Sequence, residues 1–263
     1  MEILPERKDV DDLTEWFTVF TNTSEEESEA LRLNFEIKRE HTKRVVEEIT
    51  YIGNALGLSQ MELNMAEIIA LLHDIGRFEQ YRNYGTFSDH RSENHAELSL
   101  KIMKERNILH PFAPDVRELI YCSVRYHNRP SLPVTETARC LFWSKLLRDA
   151  DKLDIWRVVT DYYHRSNGER NVALELELPD TPGISSAVFE TLMKGEIVNM
   201  RDVRNLNDIK LLQAGWIYDI NFEPSISRVR ERRYIDLLKE VLPETDEVRM
   251  IFDNITSFMG NHN

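Results

Sequence analysis

Five short segments, each centred on His or Asp, carry the residues best suited to chemistry: His41-Thr42-Lys43-Arg44-Val45, His73-Asp74-Ile75-Gly76-Arg77, Asn94-His95-Ala96-Glu97-Leu98, Tyr126-His127-Asn128 and Asp149-Ala150-Asp151-Lys152-Leu153. Imidazole and carboxylate are the ligands that hold a hard or borderline divalent metal, and an adjacent His-Asp pair can feed two metals at once. Each segment falls on the apolar stripe of a helical pattern. His41 sits four after Ile37 and four before Val45, His73 follows Ile69 by four, and His95 precedes Leu98 and Ile102. His127 follows Ile120 and Val124, and Asp151 lies between Leu147 and Ile155. A single His on an apolar face is ordinarily a hydrogen-bonded core residue. Four imidazoles and two carboxylates turned inward are different, because burying an unpaired carboxylate costs several kcal/mol and a cation among them is the simplest neutraliser.

The order His, His-Asp, His, His, Asp between residues 35 and 160 resembles the HD superfamily of metal-dependent phosphohydrolases. The resemblance implies a first metal held by His41, His73, Asp74 and Asp151, with Asp74 bridging to a second metal held by His95 and His127. Members without the two middle histidines bind one ion, so two divalent transition-metal ions, drawn from Mn, Fe, Co, Ni or Zn, are expected here. The alternative use of His95 and His127 is to hold substrate or support the other ligands beside one ion. Arg77 stands where many members have Lys after His-Asp-x-Gly, and Lys152 follows the last Asp in the Ala-Asp-Lys stretch. Either suits a clamp on a phosphoryl oxygen, and either suits a salt bridge to a neighbouring acid. Arg125 and Asn128 are weaker candidates for substrate contact, as are Arg91 and Arg129.

The reaction implied is hydrolysis of a phosphate ester, with Asp74, Arg77 and Lys152 at its centre and water ionised at the metals attacking phosphorus in line. No side-chain nucleophile is then needed. The chain has no Gly-x-Ser-x-Gly elbow, Walker A loop or Gly-x-Gly-x-x-Gly turn to suggest another chemistry. The substrate class is a nucleotide, a cyclic dinucleotide or a small phosphomonoester. Absence of a Gly-Tyr-Pro signature speaks against the cyclic dinucleotide. Two other readings share the ligands: an HD-fold di-iron oxygenase of the inositol oxygenase kind, and a catalytically silent module that senses a nucleotide.

The elements that must position these residues read as helices. A capping box at Ser24 to Glu27 is expected to open a long helix through Leu31, Phe35, Thr42, Val45, Ile49 and Ile52, closed by Gly57. A second box at Ser59 to Glu62 opens a helix through Met65, Ile68, Ile69 and Leu72 to Gly76, a glycine suited to a left-handed C-terminal conformation. Tyr81 to Ser92 reads as a polar, aromatic loop. Helices follow over Ser92 to Arg106, Asp115 to His127 behind Pro114, and Thr137 to Ser166, ended by Asn167-Gly168. Val172 to Leu178 alternates as a strand or an extended loop would. Beyond it come shorter helices, then two better ones over Ser225 to Leu242 and Glu244 to Phe258. Trp216 to Phe222 suits a pocket lining or core packing, and His90, His110, His164 and His262 read as surface or packing residues.

The expected architecture is therefore all-α: one domain over residues 1–263, with an HD-domain helical bundle at 24–166 carrying the metal site and a C-terminal helical extension at 167–263 packing on that core. A chain of 263 residues with 41 % hydrophobic and 30 % charged content can bury an ordinary soluble core. A net charge of −13 repels polyphosphate backbones, which argues against long nucleic acid and leaves a small phosphorylated substrate as the expected partner. Cys122 and Cys140 lack the spacing of a zinc or redox motif and read as buried thiols in a reducing compartment. No apolar run suits a leader or a membrane span, so a cytoplasmic protein without a membrane partner is expected, with room for a homo-oligomer.

Overall fold

The computed structural model describes residues 4–165 and 175–261. Every regular element there is helical, and no strand occurs among the described residues. The chain divides into two compact units, Met1–Asp151 and Lys152–Asn263. The division falls inside a helix, earlier than the boundary at 166 and 167 drawn from the sequence.

The first unit contains α1 (Arg7–Phe20), α2 (Glu29–Ala55), α3 (Gln60–Leu72), α4 (Ile75–Tyr84), α5 (His95–Glu105), α6 (Pro114–Tyr126) and the start of α7 (Ala138–Arg165). Helix α2 packs along α3, α4 along α5, and both α1 and α6 touch α3. Phe35, Val45, Ile49, Ile52, Met65, Ile68, Ile69, Leu72 and Phe78 are all fully buried in its core. Phe78 meets Phe17 and Phe35 edge to face. Burial of side chains of this size stabilises by about 1.5–3 kcal/mol each, so the stripe that carries the histidines is also what holds the bundle together.

Several helix ends depart from the sequence reading. Helix α2 starts at Glu29, capped by the Ser28 hydroxyl, which accepts from Leu31 N–H at 3.2 Å. The Ser24 to Glu27 box closes a separate turn instead, its Ser24 N–H donating to Glu27 Oε2 at 2.9 Å. The Ser59 box forms as expected, with the Ser59 N–H donating to Glu62 Oε2 at 2.8 Å. Gly76 is not a left-handed cap. It lies in α4, where a Cβ would stand 2.2 Å from the His95 carbonyl oxygen and 2.7 Å from the Ser99 amide nitrogen, so glycine lets α5 cross against α4. The left-handed cap is Gly85, at φ 65°, and helix therefore runs to Tyr84 through the first part of the expected loop. The remainder holds a short 3-10 turn at Asp89–Arg91.

Cys122 and Cys140 are not separate thiols as expected. They form a disulfide joining α6 to α7, with Cα atoms 6.0 Å apart, inside the span that a bridge requires. Two helices that both carry centre residues bring them together, which linear spacing does not reveal.

In the second unit α7 continues to Arg165, and helices follow at Ser186–Met193, Leu206–Gly215, Glu223–Glu231, Tyr234–Glu240 and Asp246–Gly260. The expected helix from Ser225 to Leu242 is two helices that part at Arg233, which takes a left-handed φ of 56° without any Gly or Pro to mark it. Of the stretch Val172 to Leu178, residues 172–174 lie outside the described residues, and 175–178 form a turn and not a strand, with Leu176 and Glu177 at φ 53° and 60° and the Leu178 N–H donating to the Glu175 carbonyl at 3.0 Å; the Asn167-Gly168 stop and His262 lie outside the described residues. Within Trp216 to Phe222, Ile217 and Ile220 are buried core residues, and Trp156 Nε1 donates to the Gln213 carbonyl at 2.8 Å nearby in the chain.

Candidate metal centre

All six expected ligands lie in the first unit, and it brings them together. His73 caps the C-terminal end of α3, and Asp74 leaves the helical path at φ −108°, ψ 15° to begin α4. That turn is held by Ser99 of α5, whose hydroxyl donates to the His73 carbonyl at 2.9 Å and accepts from Gly76 N–H at 2.8 Å. His41 comes from the middle of α2, His95 opens α5, His127 closes α6, and Asp151 lies on α7. The four imidazoles and Asp74 are buried. Their apolar neighbours Val45, Ile69, Leu98, Val124 and Leu147 are buried too, whereas Ile37 is 49 % exposed and marks the end of the α2 stripe.

Two groups result. His41, His73 and Asp74 form one, and Asp74, His95 and His127 form the other. In the first, His41 Nε2 lies 3.3 Å from His73 Nε2, 3.6 Å from Asp74 Oδ2 and 3.2 Å from Asp151 Oδ1. In the second, His95 Nε2 lies 3.0 Å from His127 Nε2, and the two stand 3.5 Å and 3.7 Å from Asp74 Oδ1. Donors that share one ion through bonds of about 2.1 Å stand about 3.0–3.4 Å from each other, the scale of these separations.

Proton placement makes the fit more specific. His73 Nδ1 lies 2.6 Å from the Ala70 carbonyl oxygen and His127 Nδ1 lies 2.7 Å from that of Val124; a carbonyl only accepts, so each Nδ1 carries the proton. His95 Nδ1 faces the Asp89 carboxylate at 2.7 and 2.9 Å and donates likewise. The Nε2 atoms of His95 and His127 then meet lone pair to lone pair. Asp74 Oδ1 beside them is buried and has no hydrogen-bond partner among the described residues. Facing lone pairs and an orphaned carboxylate oxygen are satisfied together by a cation, so the residues fit the divalent metal expected of them.

The electrostatics agree. Burial lowers His73 and His95 to about 4, which keeps both imidazoles neutral and able to ligate near pH 7. Burial by itself would raise Asp74, but the Lys38 ammonium outweighs it and holds the carboxyl well below its ordinary value. For Asp151 burial again opposes ionisation, and the His41 hydrogen bond and charge again win.

The cations sort differently from the sequence reading. Lys38, one turn before His41 on α2, donates to Asp74 Oδ2 at 2.8 Å and lies 5.4 Å over the Phe87 ring. Arg77 binds Gln80 Oε1 at 2.9 Å, the Phe87 carbonyl at 2.5 Å and Asp89 Oδ1 at 2.9 Å, with its Nε 3.6 Å from Asp74 Oδ1. Asn128 Nδ2 donates to Asn94 Oδ1 at 3.1 Å and Asp89 Oδ2 at 3.3 Å. Arg125 pairs with Glu118 at 3.7 Å, Arg129 with Glu97 at 3.8 Å, and Arg91 is exposed. In the second unit the Lys152 ammonium pairs with Asp219 at 2.6 Å. His90 and His110 are exposed, and His164 packs its ring nitrogen 2.9 Å from the Leu237 carbonyl.

Four contributors escaped the sequence reading: Lys38, Asp89, Ser99 and Arg148. The Arg148 guanidinium donates to the carbonyls of Tyr126, His127 and Arg129 at 2.9, 3.1 and 2.5 Å, and so braces the segment that His127 begins. Only Lys38 left a trace in the sequence, as a cation three residues before His41 and so on the same helical face.

Residues 39–156 match the family model described as the HD domain. The match is consistent with the HD superfamily, and the matched segment contains all six candidate ligands described above. HD domains are commonly metal-dependent hydrolases. No curated protein and no solved structure gives a significant match to the chain. No helix among the described residues is long and apolar enough to cross a membrane.

Proposed function

We propose that the protein is a binuclear metal-dependent phosphohydrolase acting on a small phosphate ester, a nucleotide or a phosphomonoester. The observation that carries this reading is the double set of donors about Asp74, with unprotonated imidazole nitrogens meeting 3.0 Å apart beside an orphaned carboxylate oxygen. His41, His73, Asp74 and Asp151 would hold one ion, and Asp74, His95 and His127 the other. Two divalent ions in those places supply Lewis acidity toward phosphoryl oxygens and acidify water, which removes the need for a side-chain nucleophile.

The chain's own residues account for the rest. The carbonyls of Ala70 and Val124 and the carboxylate of Asp89 fix the ring tautomers, so that each Nε2 is presented unprotonated. Lys38 neutralises Asp74, and with that carboxylate committed to metal its ammonium is the cation best placed to take a substrate phosphoryl oxygen. Arg77 adds positive potential 3.6 Å from Asp74 while its guanidinium is committed to Asp89, Gln80 and Phe87. Such a cation suits a phosphate ester better than the uncharged polyol of an oxygenase.

Turnover of a panel of nucleotides and phosphomonoesters by Mn²⁺-loaded protein, with and without dioxygen, tests the assignment. Ester hydrolysis that persists without oxygen is the expected result. Turnover that requires dioxygen, or none on any ester, refutes it.

A further inference from the structure

Each ring of the centre must place its Nδ1 proton somewhere, and the helices solve this unequally. His73 and His127 both terminate a helix, so the carbonyl three residues back, of Ala70 or Val124, lies ready. His95 begins one. With Asn94 as the N-cap of α5, no helical turn precedes His95 to offer such a carbonyl, and the partner must come from elsewhere.

Asp89 fills that role from the short 3-10 turn ahead of α5, with both carboxylate oxygens within 2.9 Å of His95 Nδ1. It is itself fixed by Arg77 at 2.9 Å, Gln80 at 2.9 Å and Asn128 at 3.3 Å. We propose that Asp89 is the positioning residue of the second metal position: it locks His95 with Nε2 toward His127 and Asp74, so that the second ion, and not the first, depends on it. The chemistry behind the claim is general. A carboxylate behind a ligating imidazole fixes its orientation and raises its basicity more than a neutral carbonyl does, and loss of such a partner costs about 10–100-fold in metal affinity. At the first position His73 is backed by the Ala70 carbonyl and not by a residue of the turn.

The proposal rests on the binuclear reading, and the test separates the two. Metal-free full-length wild type, Asp89→Ala, Asp89→Asn and His95→Ala are each titrated with Mn²⁺ by equilibrium dialysis and elemental analysis. The imidazole tautomers of the metal-free proteins are read by ¹⁵N NMR. The expected result is that wild type takes two ions, while Asp89→Ala weakens one by about 10–100-fold and leaves the other unchanged, as His95→Ala does. Asp89→Asn, which keeps a neutral oxygen acceptor, recovers part of the loss. His95 is Nδ1-protonated in wild type and loses that preference in Asp89→Ala. If wild type takes two ions and Asp89→Ala also binds both normally, or weakens both alike, or keeps the His95 tautomer, the role assigned to Asp89 is overturned while the binuclear reading stands. If wild type takes fewer than two, the binuclear reading fails and the role falls with it.

Discussion

At the residue scale the centre is a problem in placing protons and charge. Four buried imidazoles and two carboxylates gather in one place, and Lys38 is the cation that the fold sets directly on Asp74. Substituting Lys38 by Met should therefore lower kcat/KM for a phosphate ester by about 10²-fold with metal content unchanged, and by more than Lys152→Met does. Kinetics paired with elemental analysis check this; equal effects of the two substitutions contradict it. A second expectation concerns acid. Burial holds His73 and His95 at about 4 against an ordinary 6.5, so between those values the unfolded chain binds more protons than the folded one. Stability of the metal-free protein should then be flat above about pH 7 and fall as the pH drops below 6.5, by about 1.4 kcal/mol per pH unit for each imidazole. Asp74, Asp89 and Asp151 sit below the ordinary carboxylate range and add a further loss under about pH 4. Thermal melts of chelator-treated protein across this range measure both. The grouping of the six candidate ligands was legible because each repeats the apolar period of its helix. Asp89 was not, since it lies in a turn whose direction no periodicity encodes, and Lys38 was hidden in a charged run that resembles an ordinary solvated face.

Among the elements, the close crossing of α4 and α5 is what joins the two halves of the centre. Gly76 makes it, and Gly76→Ala would drive a methyl group into the His95 carbonyl, which is backbone and cannot swing aside. A loss of at least about 1–3 kcal/mol in denaturant unfolding is expected, together with weaker metal binding, because the same shift moves His95. The Ser59 capping box and the glycine stops made most helix positions readable. Gly76 misled for a physical reason: a glycine that permits close packing and one that permits positive φ look the same in a sequence. The Cys122–Cys140 bridge was equally hidden, as it depends on how α6 and α7 lie together. It closes a loop with sequence separation 18 around His127, and reducing it, or replacing both cysteines by Ser, should cost about 3 kcal/mol. Thiol titration of the unfolded, unreduced protein should accordingly find no free thiol, and finding two contradicts the bridge.

For the molecule as a whole, an acidic chain with a net charge of −13 carries an internal site in which Lys38 and Arg77 offset only part of the charge of Asp74, Asp89 and Asp151, so bound divalent ions would be what turns the local charge positive for an anionic substrate. The all-α class was legible throughout, since helical period runs along nearly all of the described chain. The division at Asp151 was not, because α7 runs unbroken through it and continuous helix gives no linker to read. A centre built from six helices should also act as a staple: bound ions stabilise the fold by mass action, and saturation at about 100 times the dissociation constant is worth about 2.7 kcal/mol per independent site. The most direct test of the central claim is the metal content of purified protein, by elemental analysis, for wild type and Asp74→Ala. The account predicts two transition-metal ions per chain in wild type, lost to a chelator with a fall in melting temperature, and almost none in Asp74→Ala. A folded wild type that carries no metal and whose melting temperature is indifferent to chelation contradicts it.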